Sequence, residues 1–269
     1  DYHLFDWASI LLQLTYLINV MQFLNQLYAL SKRNVILRYK HSLIGFLWGF
    51  IKPLIYLLIF IVIFSAQFSS VRNYVLYATS GILFWFFFSN IVSQGVQSII
   101  QASGIIKSVK LPALLFPLAE VTTELFNLAL ALAVYFLVMQ WFGMVYTFQL
   151  IWLIPILFIF SIFSFSIAIL LAALNVYFRD IGILWNTIQP AIFYLTPIAY
   201  TEELIPERFS FVIKLNPIYY FIKLFRFPLY NATAPDLHLF FVCTCISLAS
   251  LFCSIFIFNR LKNQFITAI

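Results

Sequence analysis

Six apolar stretches, each close to the roughly 20 residues a helix needs to cross hydrocarbon, follow one another between positions 43 and 258 of this chain. They run Leu43 to Ala66, Tyr74 to Ile100, Leu114 to Gln140, Gln149 to Leu174, Ile183 to Tyr200 and Leu237 to Phe258. No soluble fold hides runs of that length and frequency. The charge content agrees: 9% of residues are charged, against roughly a quarter in an average soluble domain. The fold class expected is an all-α integral membrane protein with six transmembrane helices, a single membrane domain over 1–269 with its bundle at 43–258. No stretch is left over for a soluble enzyme domain.

The formal net charge of +6 does not point to nucleic acid, because the basic residues sit in short segments between apolar runs rather than on one polar face. Sorted by side, Lys32, Arg33, Arg38, Lys40, Lys52, Lys107, Lys110, Arg179, Arg260 and Lys262 fall with the termini and the even-numbered loops. Arg72, Arg208, Lys214, Lys223 and Arg226 fall opposite. Ten against five puts both termini in the cytoplasm by the positive-inside rule. Nothing near Asp1 resembles a cleavable signal, so the first span is expected to act as its own insertion signal.

Ahead of the first span, Leu17, Val20, Met21, Leu24, Leu27 and Tyr28 recur at helical spacing and a basic cluster follows. This predicts an amphipathic helix over 17–41 lying in the cytoplasmic interface. The alternative, a seventh span over Leu4 to Leu30, would require Asp6, Gln13, Asn19, Gln22, Asn25 and Gln26 to be satisfied inside lipid. Between the fifth and sixth spans, residues 201–236 are too apolar for an ordinary loop, and Pro206, Pro217 and Pro228 cut them into pieces too short to cross. Proline favours helix starts and disfavours helix just before it. The segment therefore predicts two short re-entrant helices on the extracytoplasmic side, a gate or lid.

Glu120 and Glu124 stand four residues apart on the third span, and Thr123 and Asn127 continue the stripe. Carboxylates are costly in hydrocarbon, so these face the protein interior or a cavity. Two readings stand: Glu120, Glu124 and Asn127 as a polar strip along a substrate path, or a pair that anchors the helix or meets Lys107 or Lys110. Arg38, Lys40 and Lys52 are candidates for an anionic head group, with a snorkelling lysine as the plainer reading of Lys52. Among 33 Phe, 15 Tyr and 6 Trp, most serve packing and the interface belts. Tyr56, Trp85, Phe86 and Phe88 are candidates to line a channel, where flat rings suit sugars.

There is no GxxxxGK[ST] phosphate loop, so this chain does not bind ATP by that route. His3, His41 and His238 are scattered, no grouping has metal-ligand spacing, and Cys243, Cys245 and Cys253 in the last run read as small buried hydrophobes. No catalytic residue, metal or cofactor is expected in the chain.

Four segments carry a family resemblance. RNVILRYKHSLIGFLW at 33–48 with Lys52 and Pro53 looks like the entry to the first span of bacterial type-2 ABC export permeases, those for O-antigen, capsule and teichoic acid. SGILFWFFFSN at 80–90 resembles that family's second span, and LNVYFRD at 174–180 its turn after the fourth. TPIAY at 196–200 with Asn216 and Pro217 resembles its external re-entrant region.

The resemblance implies a non-catalytic permease subunit in the bacterial inner membrane. It implies a second copy of the chain and two nucleotide-binding subunits that carry ATP and Mg. The implied cargo is a polysaccharide on a polyprenyl pyrophosphate or other lipid carrier, with Arg38, Lys40 and Lys52 as pyrophosphate contacts. Lys32, Arg33, Lys107 and Lys110 would then lie where the ATPase is felt. A gradient-driven transporter is the main alternative, and the chain lacks the inverted repeat such folds often carry. A membrane transferase would need paired aspartates or a basic catalytic cluster, which Asp180 alone does not supply.

Overall fold

The computed structural model describes residues 3–40, 47–64, 71, 73–109, 111–262 and 265, and among them the chain is helical with no strand. In chain order the helices are α1 (His3–Tyr39), α2 (Trp48–Phe64), α3 (Tyr74–Gln101), α4 (Ser103–Ser108) and α5 (Leu115–Trp141). They continue as α6 (Leu153–Tyr177, entered through a 3-10 turn at Phe148–Trp152), α7 (Asp180–Leu195), α8 (Ser210–Lys214), α9 (Pro217–Arg226) and α10 (Leu237–Leu261). Four helical stretches among the described residues are long and apolar enough to cross a membrane: Tyr74–Gln101, Leu115–Trp141, Phe148–Tyr177 and Leu237–Leu261. The two other expected spans correspond to α2, 17 residues long, and α7, 16 residues long.

α3 is the centre of the bundle and packs against α2, α5, α6, α7 and α9. Its aromatic block explains why. Phe84, Trp85, Phe87 and Phe88 are all buried. Phe84 stacks on Phe225 of α9 with ring centroids 3.4 Å apart, and Phe88 lies 5.7 Å from Phe163 of α6. Lipid tails are as apolar as leucine, so close packing and hydrogen bonds, rather than escape from water, hold such helices together. Gly95 allows the closest approach: a Cβ there would stand 2.7 Å from that of Ala168 on α6. Hydroxyls within the helices are silenced locally, Ser164 donating to the Phe160 carbonyl at 2.8 Å and Thr79 to that of Val75 at 2.5 Å.

α10 packs on α6, where Ser247 donates to the Ile159 carbonyl at 2.9 Å. Its opposite face leaves Leu237, Phe241, Leu248 and Phe252 exposed, as a lipid-facing surface would. The cysteines correct their expectation: Cys243 is buried, but Cys245 and Cys253 are exposed. At 100° per residue, positions eight apart share a face and positions two apart do not.

Two helix boundaries also differ from expectation. α7 ends at Leu195 rather than Tyr200, because Thr196 precedes Pro197 and is extended, φ −101° and ψ 127°. α1 begins at His3, not near position 17, and runs unbroken for 37 residues, about 55 Å at 1.5 Å per residue. Of the stripe that suggested amphipathicity, Val20, Met21, Leu24 and Tyr28 are exposed, while Leu27 turns inward. Leu27, with Phe23 and Leu30, joins an apolar cluster that includes Phe116 and Ala119 of α5 and Ile105 and Ile106 of α4.

Residues 196–231 form an irregular cap over the other end of α3. α8 and α9 are joined to two 3-10 turns, Glu202–Leu204 and Glu207–Phe209, and a π-helical turn, Phe227–Asn231. α9 starts as its proline requires: Asn216 caps it by accepting from the Ile218 N–H at 3.0 Å, and Pro217 occupies the first turn. Its buried face, including Phe221, Ile222, Leu224 and Phe225, reaches into the core.

Backbone without a regular ladder leaves carbonyls to be satisfied. Tyr74 donates to Ala199 at 2.6 Å, Tyr77 to Tyr200 at 3.2 Å, Tyr135 to Leu229 at 3.3 Å and Arg226 to Ile198 at 2.8 Å. Nearer the surface, Lys223 meets Glu202 at 3.2 Å and Tyr219 at 3.1 Å. Burial, the largest influence, pulls the Lys223 ammonium down, but the Tyr219 hydrogen bond and the Glu202 charge outweigh it and hold it above the ordinary lysine value.

Candidate functional site: a polar clasp between α1, α3 and α5

Residues 31, 34 and 38 of α1 and residues 120, 124 and 127 of α5 are spaced three or four apart, so each set forms one stripe on its helix. The two stripes face each other. The hydroxyls of Ser31 and Thr122 hydrogen-bond, Asn34 Nδ2 donates to Glu120 Oε1 at 2.8 Å, and Tyr39 donates to Asn127 Oδ1 at 2.8 Å. At the centre, Arg38 forks between two carboxylates, Nη1 on Glu124 and Nη2 3.5 Å from Glu120. α3 closes the arrangement through Asn90, whose Nδ2 donates to Glu124 Oε2 at 3.2 Å.

The burial pattern gives these contacts their energy. The Glu124 side chain is 2% exposed, Glu120 13% and Arg38 27%. A carboxylate that far from water is stable as an ion only with a charged partner and its lone pairs filled, and Glu124 has both. Burial, the largest influence, pulls the Arg38 guanidinium down; the charges of Glu124 and Glu120 and the hydrogen bond to Glu124 more than restore it, leaving it above the ordinary value. Among the described residues the cation that meets both glutamates is Arg38; Lys107 makes no ion pair there, and Lys110 lies outside them.

Beside the clasp lies a cavity of about 360 Å3. Its polar wall is Arg38, Glu124, Asn90, Gln94 and Asn127, and its apolar wall Leu83, Phe87, Leu128 and Ala131. Tyr39, Trp48 and Phe86 add aromatic surface, Phe86 with Tyr56 edge-on at 4.9 Å. On the other flank, Arg33, Asn34, Ser98, Gln101 and Glu120 surround a space of about 30 Å3, the size of one water.

The sequence candidates are thus redistributed. Arg38 joins Glu120, Glu124 and Asn127 in one cluster, although the sequence had suggested two separate roles. Lys32, Arg33, Lys40 and Lys107 are exposed. Lys110 and the side chain of Lys52 lie outside the described residues. Of the aromatic candidates, Phe86 lines the cavity and Tyr56 packs beside it, whereas Trp85 and Phe88 are buried among Phe160, Phe163, Trp185 and Phe193. Neighbours on one helix point in different directions, so a five-residue aromatic block cannot all face one path.

Sequence reading missed Asn34, Tyr39, Asn90 and Gln94. Asn90 and Gln94 did carry a signal: two amides four residues apart just after an aromatic block, the same spacing as the two glutamates. Also missed was that α1, α4 and α5 share one apolar cluster, Leu30, Ala102, Leu115, Phe116 and Ala119, against which Ile105 and Ile106 of α4 pack.

Comparison with known proteins gives a consistent result. The family described as ABC-2 type transporter matches residues 25–230. The chain is similar to an O-antigen export system permease protein, RfbA, of Klebsiella pneumoniae, 29% identical over 244 residues that cover 89% of this chain and 93% of that protein. It is also similar to an O-antigen export system permease protein, RfbA, of Myxococcus xanthus, 26% identical over 252 residues, 92% and 96% of the two chains.

Proposed function

We propose, from the premise that this chain belongs to the ABC-2 type transporter family, that it is the membrane-spanning permease subunit of an ATP-driven exporter. The cargo is a lipid-linked polysaccharide, O-antigen first among the candidates, moved from the cytoplasmic side across the bacterial inner membrane. The names of the relatives over about nine-tenths of the chain support the cargo. ATP and Mg belong to a nucleotide-binding partner present in two copies, since this sequence has no phosphate loop.

The observation that carries the reading is the clasp. α1 exposes Lys32 and Arg33, α4 exposes Lys107, and both helices join one apolar cluster with α5. A partner that pushes on this basic surface acts on Arg38, Glu120 and Glu124 without an intervening flexible joint. α1 then lies along the cytoplasmic interface with its outward apolar stripe toward lipid, and residues 201–236 form the external gate.

α2 and α7 complete six crossings, with both termini in the cytoplasm as the lysine and arginine asymmetry favours. A second copy of the chain is favoured by α7: Asn186 is exposed there and finds no hydrogen-bond partner among the described residues. In lipid that amide would be stranded. The path for the polymer lies between the two copies.

The test is co-purification of this chain with the nucleotide-binding protein encoded beside it, followed by ATPase assay with and without lipid-linked polysaccharide. A stable complex whose turnover responds to the polymer supports the exporter. A folded permease that associates with no ATPase sinks it.

A further inference from the structure

Between two firmly held points of the 196–231 cap runs a strap, residues 201–215, that leaves Leu204, Phe209, Phe211 and Leu215 exposed. Its entry is fixed to α3, because Tyr74 and Tyr77 hold the carbonyls of Ala199 and Tyr200. Its exit is fixed at Asn216, whose Nδ2 donates to Thr196 Oγ1 at 2.7 Å while its Oδ1 caps α9. Entry and exit thus share one root, the arrangement of a compact surface loop whose ends lie together. Within the strap Ile213 alone is buried. A segment with so little apolar burial opens more readily than the core beneath it.

Two tyrosines of α9 reach out to this strap. Tyr220 donates to the Lys214 carbonyl at 2.8 Å, close to the root, where it restrains little movement. Tyr219 acts at the other end: its hydroxyl donates to Glu202 Oε2 at 2.7 Å. Lys223, one turn further along α9, stands 3.2 Å from the same carboxylate and 3.1 Å from the Tyr219 oxygen. Among the described residues these are the side-chain hydrogen bonds and the ion pair that tie 201–215 to the rest of the chain. α9 does not follow the strap, since Phe221, Ile222, Leu224 and Phe225 are buried in the core.

The strength of the tie fits a part that must release. The Lys223 and Glu202 side chains are 42% and 44% exposed. An ion pair that wet holds weakly and is screened by salt, whereas breaking a buried pair strands a charge and would keep the strap shut.

We infer that Glu202 is the catch of a hinged lid: the 201–215 strap swings about the Thr196–Asn216 root, and Tyr219 and Lys223 hold it closed. The inference rests on the exporter reading above, in which this lid closes the polymer's exit between transport cycles.

The test uses the complex of the full chain with its nucleotide-binding subunit, in nanodiscs and in proteoliposomes. Hydrogen exchange over 203–213, followed by mass spectrometry, reports opening. Glu202→Gln and Lys223→Gln are each expected to speed exchange there about threefold to fivefold, the share an exposed pair holds, and to leave 219–225 in α9 unchanged. Reversing both charges, Glu202→Lys with Lys223→Glu, should return the wild-type rate. Raising salt from about 0.05 M to about 0.5 M should speed exchange in the wild type and not in Glu202→Gln. Release of a small trapped dye from proteoliposomes without ATP should rise in both single variants by a similar factor and fall again in the reversed pair. Unchanged exchange in the single variants, or no recovery in the reversed pair, overturns the catch. Faster exchange with unchanged dye release overturns the lid. The exporter reading fails on a different observation, a permease that associates with no ATPase, and the exchange measurement is then made on the permease alone.

Discussion

The guanidinium carbon of Arg226 lies 3.7 Å from the centre of the Tyr77 ring, fully inside the protein and facing the aromatic surface rather than a carboxylate. Its Nη2 donates to the Ile198 carbonyl, and its Nε is without a partner among the described residues. Gly81 makes room, since a Cβ there would come within 3.1 Å of Nη2. A ring face and a carbonyl together stabilise a buried cation that has no ion pair among the described residues. Arg226→Ala is expected to destabilise the 196–231 cap by about 2–4 kcal/mol through the lost contacts and the orphaned carbonyl. Arg226→Lys, which cannot reproduce the planar fork, should recover less than half of that. Proteolytic nicking within 200–216, measured against temperature, checks both; equal resistance in all three proteins would remove the anchoring role.

The clasp predicts strong non-additivity. Arg38→Gln leaves two carboxylates without their cation and should cost about 3–5 kcal/mol. Adding Glu124→Gln and Glu120→Gln removes the stranded charges and should return most of the loss. Thermal unfolding of the purified permease measures the cycle, and strictly additive losses would refute the pairing.

At the α3–α6 contact the expected rescue is steric. Gly95→Ala pushes a methyl group to 2.7 Å from Ala168, and overpacking of this kind costs about 1–3 kcal/mol. Ala168→Gly in the same chain should restore stability. If Gly95→Ala alone is neutral, the helices are not in the register described.

Cys243, Cys245 and Cys253 test the α10 face. Cys243→Leu overpacks a buried contact and is expected to cost about 1–3 kcal/mol, whereas Cys245→Leu and Cys253→Leu on the exposed side should stay within about 0.5 kcal/mol, measured by thermal unfolding of the purified permease. Equal losses at all three would place the α10–α6 contact elsewhere.

The helical character and most boundaries were legible in the sequence, because run length and proline position answer directly to hydrocarbon thickness and backbone sterics. Tyr74, Leu237 and the Asn216–Pro217 start were all visible as signals. The direction of α1 was not. Apolar residues occur on more than one side of it, so periodicity singled out a stripe that is mostly outward, Val20, Met21 and Leu24 with Leu27, and passed over Phe23 and Leu30. Half of the site was legible for a similar reason: a carboxylate in an apolar run advertises itself. Arg38 did too, but 82 residues separate it from Glu120. No local pattern tells a basic residue that its partner lies on a parallel helix rather than on a ligand.

Hydrogen bonds at both ends of α3 have a mechanical consequence. In its second half Asn90 grips Glu124; at its first turn Tyr74 and Tyr77 grip the backbone at Ala199 and Tyr200. Between Tyr77 and Asn90 the helix is unbroken and free of proline, about 20 Å of rigid rod. Tilting it at one membrane face must swing the cap at the other, so the two faces share a single lever and no relay of intermediate side chains is required.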